Sequence, residues 1–401
     1  MFDGQPLSPI TLEQTYCAHN YNPLPVVLTR GQGVYLWDDK GKRYLDMMSA
    51  YSAVSHGHCN PRLVKVAMEQ MQTLNVTSRA YYSQWLGAFA HKACSLTGMA
   101  RALPMNTGAE AVETAIKAAR KWAYQIKGVP DQQAEIICCQ GNFHGRTSGV
   151  ISFSTEPQYR FGFGPLMPGV KTVPFGDADA LERAITPNTA AFLVEPIQGE
   201  AGIVVPPPGY LARVAEICRA RRVLLLCDEV QTGLGRTGKN FAFMHDHIQP
   251  DGLMLGKALG GGLLPVSLFL ASEELMSVFT PGDHGSTFGG NPLAARIGLE
   301  ALRILEEDQL AQRSAELGDY LLQQLKSFTH PAITDVRGKG LFIGVEIDPG
   351  YASARTLCER LMQRGVLTKD THHTVIRLAP PLVIERSDLD WMLTQFKNCL
   401  N

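Results

Sequence analysis

The sequence predicts an α/β protein: a large, mostly parallel sheet covered by helices on both faces, followed by a smaller α+β module. Three observations carry this expectation. Short, nearly uninterrupted apolar runs rich in β-formers recur through the middle of the chain, helical stretches lie between some of them, and the pattern changes after Asn291-Pro292. A strand buried on both faces shows a continuous hydrophobic run instead of alternation, which is the mark of a parallel sheet between helical layers.

The elements follow in chain order. Residues 33–46, with Val34-Tyr35-Leu36-Trp37 ahead of Asp39-Lys40-Gly41-Lys42, read as a hairpin. Residues 109–123 carry Val112, Ile116, Ala119 and Ala123 at helical spacing. Strands are expected at 135–139, 171–174, 191–194, 223–227, 252–255 and 267–271, with a helix over 209–222. Asn291 can cap and Pro292 can start a helix through Leu299, Leu302 and Leu305. Beyond it come helix 310–328, strand 340–347, helix 352–364 and strand 375–378, the smaller module.

Size and composition narrow the function. A chain of 401 residues exceeds one typical core, so two domains are expected. Formal net charge is −1, which leaves no excess to hold a polyanion, so nucleic acid is excluded as a partner. The apolar runs 223–227 and 263–271 fall short of a membrane span of about 20 residues. Residues 1–10 lack the features of a leader peptide, so a cytosolic enzyme is expected. The nine cysteines are odd in number and form no Cys-x-x-Cys, as buried reduced thiols would. His56-Gly-His58-Cys59 and His245-Asp-His247 lack the spacing of a known metal site, so no metal is expected.

In parallel sheets ligands bind beyond the carboxyl ends of the strands, and polar clusters fall there. Asp228 ends an apolar strand, and a buried carboxylate stays ionised only beside a cation or several donors; a protonated pyridinium is one such cation. Gln231 lies close behind it. Lys257 stands between an apolar strand and a glycine run, where burial lowers an amine's pKa and makes it a nucleophile. A snorkelling lysine is the bland alternative, and Asp228 beside it tips the balance. Thr107 and Gly108 open a helix whose N–H groups favour a phosphate, although Thr107-x-x-Glu110 also spells a common capping box. Ser286 and Thr287 supply hydroxyl donors to a phosphate or make a turn. Phe143 is placed to stack on a planar ring or to join the core, and Arg146 suits a carboxylate.

Taken together and in order, Asn106-Thr107-Gly108, Phe143-His144-Gly145-Arg146, Glu195-Pro196-Ile197-Gln198-Gly199-Glu200, Asp228-Glu229-Val230-Gln231-Thr232-Gly233, Gly256-Lys257-Ala258 and Gly289-Gly290-Asn291-Pro292 resemble the class III pyridoxal-phosphate aminotransferases. Within that class the chain looks most like the ornithine aminotransferases, through His19-Asn20-Tyr21, Tyr51-Ser52-Ala53-Val54, Gly285-Ser286-Thr287-Phe288 and Val375-Ile376-Arg377-Leu378-Ala379-Pro380-Pro381.

The resemblance implies the type I fold of these enzymes, with a mostly parallel seven-stranded sheet in a large domain (51–293) and a small α+β domain from both chain ends (1–50 and 294–401). It implies pyridoxal 5'-phosphate carried on Lys257, with Asp228 on the ring nitrogen, Gln231 on the phenolic oxygen and Phe143 on one face. The phosphate would rest on Thr107 and Gly108, joined by Thr287 from the other subunit of a homodimer or higher homo-oligomer, with Ser286 a further cofactor-binding candidate. For substrates it implies ornithine and 2-oxoglutarate: Tyr21, Tyr51 and Arg146 bind ornithine, and Glu200 pairs with Arg377 until 2-oxoglutarate enters. N-acetylornithine and 4-aminobutyrate aminotransferases are the near rivals, separated by Tyr21, Tyr51, Glu200 and Arg377. A nucleotide-binding reading rests on Gly233-Leu234-Gly235-Arg236-Thr237-Gly238-Lys239-Asn240. It fails because Asn240 replaces the required Ser or Thr and no long helix is expected after it.

Overall fold

The computed structural model describes residues 7–400. Near the N-terminus β1 (Leu28–Gln32), β2 (Tyr35–Asp38) and β3 (Arg43–Asp46) form an antiparallel meander. The expected hairpin is its second half, closed where Asp38 Oδ1 accepts the N–H groups of Lys40 and Lys42 at 3.0 and 2.8 Å. The middle of the chain contributes β4 (Arg101–Met105), β5 (Glu135–Cys139), β6 (Val170–Val173), β7 (Thr189–Val194), β8 (Leu224–Asp228), β9 (Gly252–Leu255) and β10 (Ser267–Ala271). These make one seven-stranded sheet in the order β4-β10-β9-β8-β7-β5-β6. Only β10 runs against the others, pairing antiparallel with both β4 and β9.

Both faces of this sheet are covered, which explains the unbroken apolar runs. Along β8, Leu224 and Leu226 join one core layer with Ala111, Val112, Ala115 and Ile116 of the helix Gly108–Trp122. Leu225 and Cys227 face the opposite layer, which holds Val214 of the helix Tyr210–Ala220. A fully buried leucine contributes roughly 1.5–3 kcal/mol, so neither face tolerates polar alternation.

The smaller part holds β11 (Ile333–Gly338), β12 (Ile343–Ile347), β13 (Val366–Leu367), β14 (Lys369–Thr371) and β15 (Val375–Leu378). Four of them form an antiparallel sheet, β11-β12-β15-β14. The fifth, β13, pairs in parallel with β3, so one small sheet draws on both ends of the chain. Asn291 caps the helix Pro292–Glu307 by accepting the Ala294 N–H at 2.9 Å, as expected. Strands β1, β4, β11, β13 and β14 were not anticipated.

The glycine loop 233–240 is a series of turns followed by a short 3-10 turn, Ala242–Asp246, so no helix presents its N-terminus to a nucleotide phosphate. Three of the four histidines in those pairs have structural partners: His56 Nε2 donates to Ala301 O, His58 Nε2 to Asp46 and His245 Nε2 to Thr237 O. Among the described residues no helix is long and apolar enough to cross a membrane. All nine cysteines are free, with Cys17 and Cys59 exposed, Cys94 partly covered and the other six buried.

Candidate active site

The carboxyl ends of β5, β7, β8 and β9 converge with the N-terminus of the helix Gly108–Trp122 on a cleft of about 180 Å³. Gly108, Phe143, Glu195, Asp228, Gln231 and Lys257 are among the residues lining it.

Lys257 follows β9 after a single glycine and adopts φ +46°, a left-handed conformation that side chains rarely take. Its amine lies on the cleft wall. Burial lowers its pKa, and the carboxylates of Glu200 and Asp228 oppose that shift. Asp228, the last residue of β8, is buried; its Oδ1 accepts the Val230 N–H at 3.1 Å and its Oδ2 accepts from His144 Nδ1 at 2.7 Å. Burial alone would depress His144, but the hydrogen bond and charge of Asp228 outweigh it and raise the pKa. The other ring nitrogen, Nε2, is buried and unpartnered.

Glu195, just past β7, accepts the Phe143 N–H at 2.9 Å. Burial pushes its pKa to about 7; His144 pulls the other way and Asp228 adds to the rise. Motif reading touched His144 and Glu195 without giving either a role. Their signal was present, since both stand in the motifs that precede Asp228, but only the fold shows that they share its pocket.

Thr107 does form the capping box: its hydroxyl accepts the Glu110 N–H at 3.3 Å and Glu110 Oε2 accepts the Thr107 N–H at 2.6 Å. Gly108 is nonetheless on the cleft wall, where an added Cβ would come 2.8 Å from Val230 Cγ1. Ser286 Oγ accepts from Asn106 Nδ2 at 2.9 Å, which ties the second hydroxyl loop to the first. Thr287 is exposed.

Beyond Lys257, Arg377 Nη1 donates to Glu200 Oε1 at 2.7 Å, and the two side chains are 6% and 23% exposed. Burial would raise Glu200, but Arg377 and then Lys257 hold its pKa below the ordinary value. Gln231 Nε2 donates to the same oxygen at 3.3 Å. The Tyr51 ring packs on Arg377, 4.8 Å from guanidinium to centroid. Arg146 lies exposed at the rim, stacked 3.6 Å over Tyr159 and 5.5 Å from Phe143. Among the described residues it has no acidic partner at ion-pair distance. Tyr21 is 77% exposed.

An amine of lowered pKa, a buried carboxylate opposite it and the open N-terminus of a helix together complement a planar heteroaromatic carrying a carbonyl, a basic ring nitrogen and a phosphate. A second zone offers one paired and one free guanidinium for carboxylates.

This chain belongs to the class III aminotransferases: the family model "Aminotransferase class-III" matches residues 16–400. It is 56% identical over 381 residues to an ornithine aminotransferase of Exiguobacterium sp., covering 95% of this chain and 94% of that one. Its fold matches a crystal structure of the ornithine aminotransferase from Toxoplasma gondii with a TM-score of 0.96 at 41% identity, covering 98% and 94% of the two chains. The acetylornithine aminotransferase of Elizabethkingia anophelis matches with a TM-score of 0.89 at 44% identity, covering 98% and 97%.

Proposed function

We propose that this chain moves the δ-amino group of ornithine to 2-oxoglutarate with pyridoxal 5'-phosphate held in the cleft, giving glutamate and glutamate-5-semialdehyde, which cyclises to pyrroline-5-carboxylate. The observation that carries the reading is the largely buried Glu200–Arg377 pair beside Lys257. With Arg377 neutralised, the reacting zone has no free guanidinium for an α-carboxylate, and a cationic δ-amine can approach.

The residues present fit the cofactor. Gly108 leaves the helix N-terminus open for its phosphate, with Thr107 and Ser286 alongside. Asp228 offers a carboxylate for the ring nitrogen, Gln231 an amide for the phenolic oxygen and Phe143 a ring face. When bound, the cofactor supplies an aldehyde that exchanges with the donor amine and a ring that withdraws electrons from the carbon losing its proton.

Lys257 is the catalytic residue that would carry the cofactor through its Nζ and would move the proton at the donor carbon; burial lowers its basicity, which favours the neutral amine this requires. Asp228, oriented by His144, keeps the ring nitrogen protonated. Arg146, free at the rim, takes the α-carboxylate of ornithine, and Tyr21 and Tyr51 orient the α-amino end. For 2-oxoglutarate, Glu200 leaves Arg377, which then takes the α-carboxylate while Arg146 takes the distal one.

We read the acting unit as a homodimer in which Thr287 reaches the partner's phosphate site; exposure of Thr287, Phe288, Tyr81 and Tyr82 supports this. We keep 51–293 as the cofactor-binding domain and 1–50 with 294–401 as the small one, a division supported by the β3–β13 pairing. The likeness to the Elizabethkingia enzyme favours N-acetylornithine as a second reading. A donor panel with 2-oxoglutarate separates them: ornithine should exceed N-acetylornithine, 4-aminobutyrate and lysine in kcat/KM by at least about tenfold. A preference for N-acetylornithine overturns the ornithine reading.

A further inference from the structure

Arg236 is fully buried and has no carboxylate hydrogen-bonded to it. Its Nη1 donates to Leu341 O at 2.9 Å and Pro380 O at 2.6 Å, and its Nη2 to Ser49 Oγ at 3.2 Å and Ser55 Oγ at 3.0 Å. Its Nε is unpartnered. Burial lowers its pKa to about 9, opposed only by the charge of Asp46. A buried cation held by neutral acceptors is costly, and an apolar side chain of like volume would avoid the cost. The geometry shows what the cation does instead.

Ser49 and Ser55 bracket a turn in which Ser49, Ala50, Tyr51 and Ser52 all have positive φ, from 44° to 71°. Four successive L-residues do not hold a left-handed turn unaided. Asp46 Oδ1 accepts the N–H groups of Met48 and Ser49 at 2.9 and 2.8 Å, and Ser49 Oγ donates to Ala379 O at 2.6 Å. The turn presents Tyr51 against Arg377. Ala379 and Pro380 directly continue the strand β15 that presents Arg377. One guanidinium therefore grips both the turn bearing Tyr51 and the segment bearing Arg377.

We propose that Arg236 is a positioning residue for substrate recognition, its planar fork holding the left-handed Tyr51 turn in register with Arg377. The inference rests on the reading above that Tyr51 and Arg377 form the substrate end of the site. It concerns binding of ornithine, not attachment of the cofactor, because Arg236 bonds the turn and is not among the residues that line the cleft with Lys257.

The test is a double-mutant cycle on the holoenzyme with Arg236→Lys, Tyr51→Ala and the pair, read by cofactor content, cofactor absorbance, kcat and KM for ornithine. A lysine keeps a long basic side chain and loses the planar fork. Arg236→Lys should keep cofactor content and spectrum and raise KM by about tenfold or more with kcat nearly unchanged. In the Tyr51→Ala background the same change should cost less than about threefold, because the side chain it positions is gone. Ser55→Ala removes one of the four bonds, should shift KM the same way by a smaller factor, and carries the test if Arg236→Lys does not fold. Equal losses in both backgrounds, an unchanged KM in Ser55→Ala, or a loss that falls on cofactor content overturn the proposal alone. If Tyr51→Ala itself leaves ornithine KM unchanged, the substrate-end reading falls and the proposal falls with it.

Discussion

Glu200→Ala is the perturbation whose outcome the geometry fixes most tightly. Arg377 and Glu200 meet at 2.7 Å with side chains 6% and 23% exposed, and Arg377 Nε has no partner of its own. Removing the acid leaves a buried guanidinium facing the Tyr51 ring, and an uncompensated buried charge of this kind costs about 3–5 kcal/mol. An incoming α-carboxylate recovers part of that cost, since a charge-assisted hydrogen bond contributes about 1.5–3 kcal/mol. At about 1.4 kcal/mol per tenfold, glutamate should improve as a donor by roughly ten- to a hundredfold. Ornithine should lose, because its δ-ammonium now approaches an unneutralised cation. The assay is the ratio of glutamate to ornithine half-reaction rate constants, followed by cofactor absorbance after rapid mixing. An exposed pair would be worth only about 0–1 kcal/mol, so a ratio that moves by less than about fivefold refutes the idea that Glu200 gates Arg377.

Three further outcomes follow from the same site. Borohydride treatment of the holoenzyme should fix the cofactor on Lys257, and peptide mapping that finds the label on another lysine removes it from its assigned place. Asp228→Asn should retain fold and cofactor content but lose turnover by about a hundredfold or more, the scale of losing one preorganised charge; near-normal turnover would make Asp228 a structural partner of His144 only. Glu195, raised from 4.5 to about 7, binds its proton more tightly in the folded state. Its contribution to apoprotein stability is therefore full below the unfolded value and lost as pH rises through about 7, a swing on the order of 3 kcal/mol. Glu195→Gln should flatten the fall of Tm between about pH 5 and pH 8, with Glu229, also near 7, leaving a residual slope; parallel curves contradict the shift.

Strands β5, β9, β10 and β15 were legible because each has neighbours on both sides and is buried along nearly its whole length, so apolar residues dominate it despite Glu135 at the start of β5 and Arg377 within β15. The strands that escaped notice, β1, β4, β11, β13 and β14, all stand at sheet edges. An edge strand carries only part of the burial: Arg101 opens β4 exposed and Pro104 interrupts its donors, while Thr334 and Asp335 of β11 face solvent. Nothing in such segments separates them from a loop without their partner.

That Asp228 and Lys257 share one cleft was readable for a different reason, since each ends an apolar strand of the same sheet and the two together outweigh the bland reading of either. The Tyr51 turn was not. Ser49-Ala50-Tyr51-Ser52 contains no glycine or asparagine, the residues that announce positive φ, and its conformation depends on Asp46 and on an arginine nearly two hundred positions away. The same distance hid Arg236 in a glycine loop that superficially resembled a phosphate-binding motif.

The central claim is that the amino group leaves from the δ carbon of ornithine, and labelling the nitrogen tests it without reliance on any variant. The holoenzyme is supplied with 2-oxoglutarate and ornithine bearing heavy nitrogen at either the δ or the α position, and the glutamate formed is analysed by mass spectrometry. Label should reach glutamate from δ-labelled ornithine and not from the α-labelled form. Glutamate labelled from the α position would contradict the account.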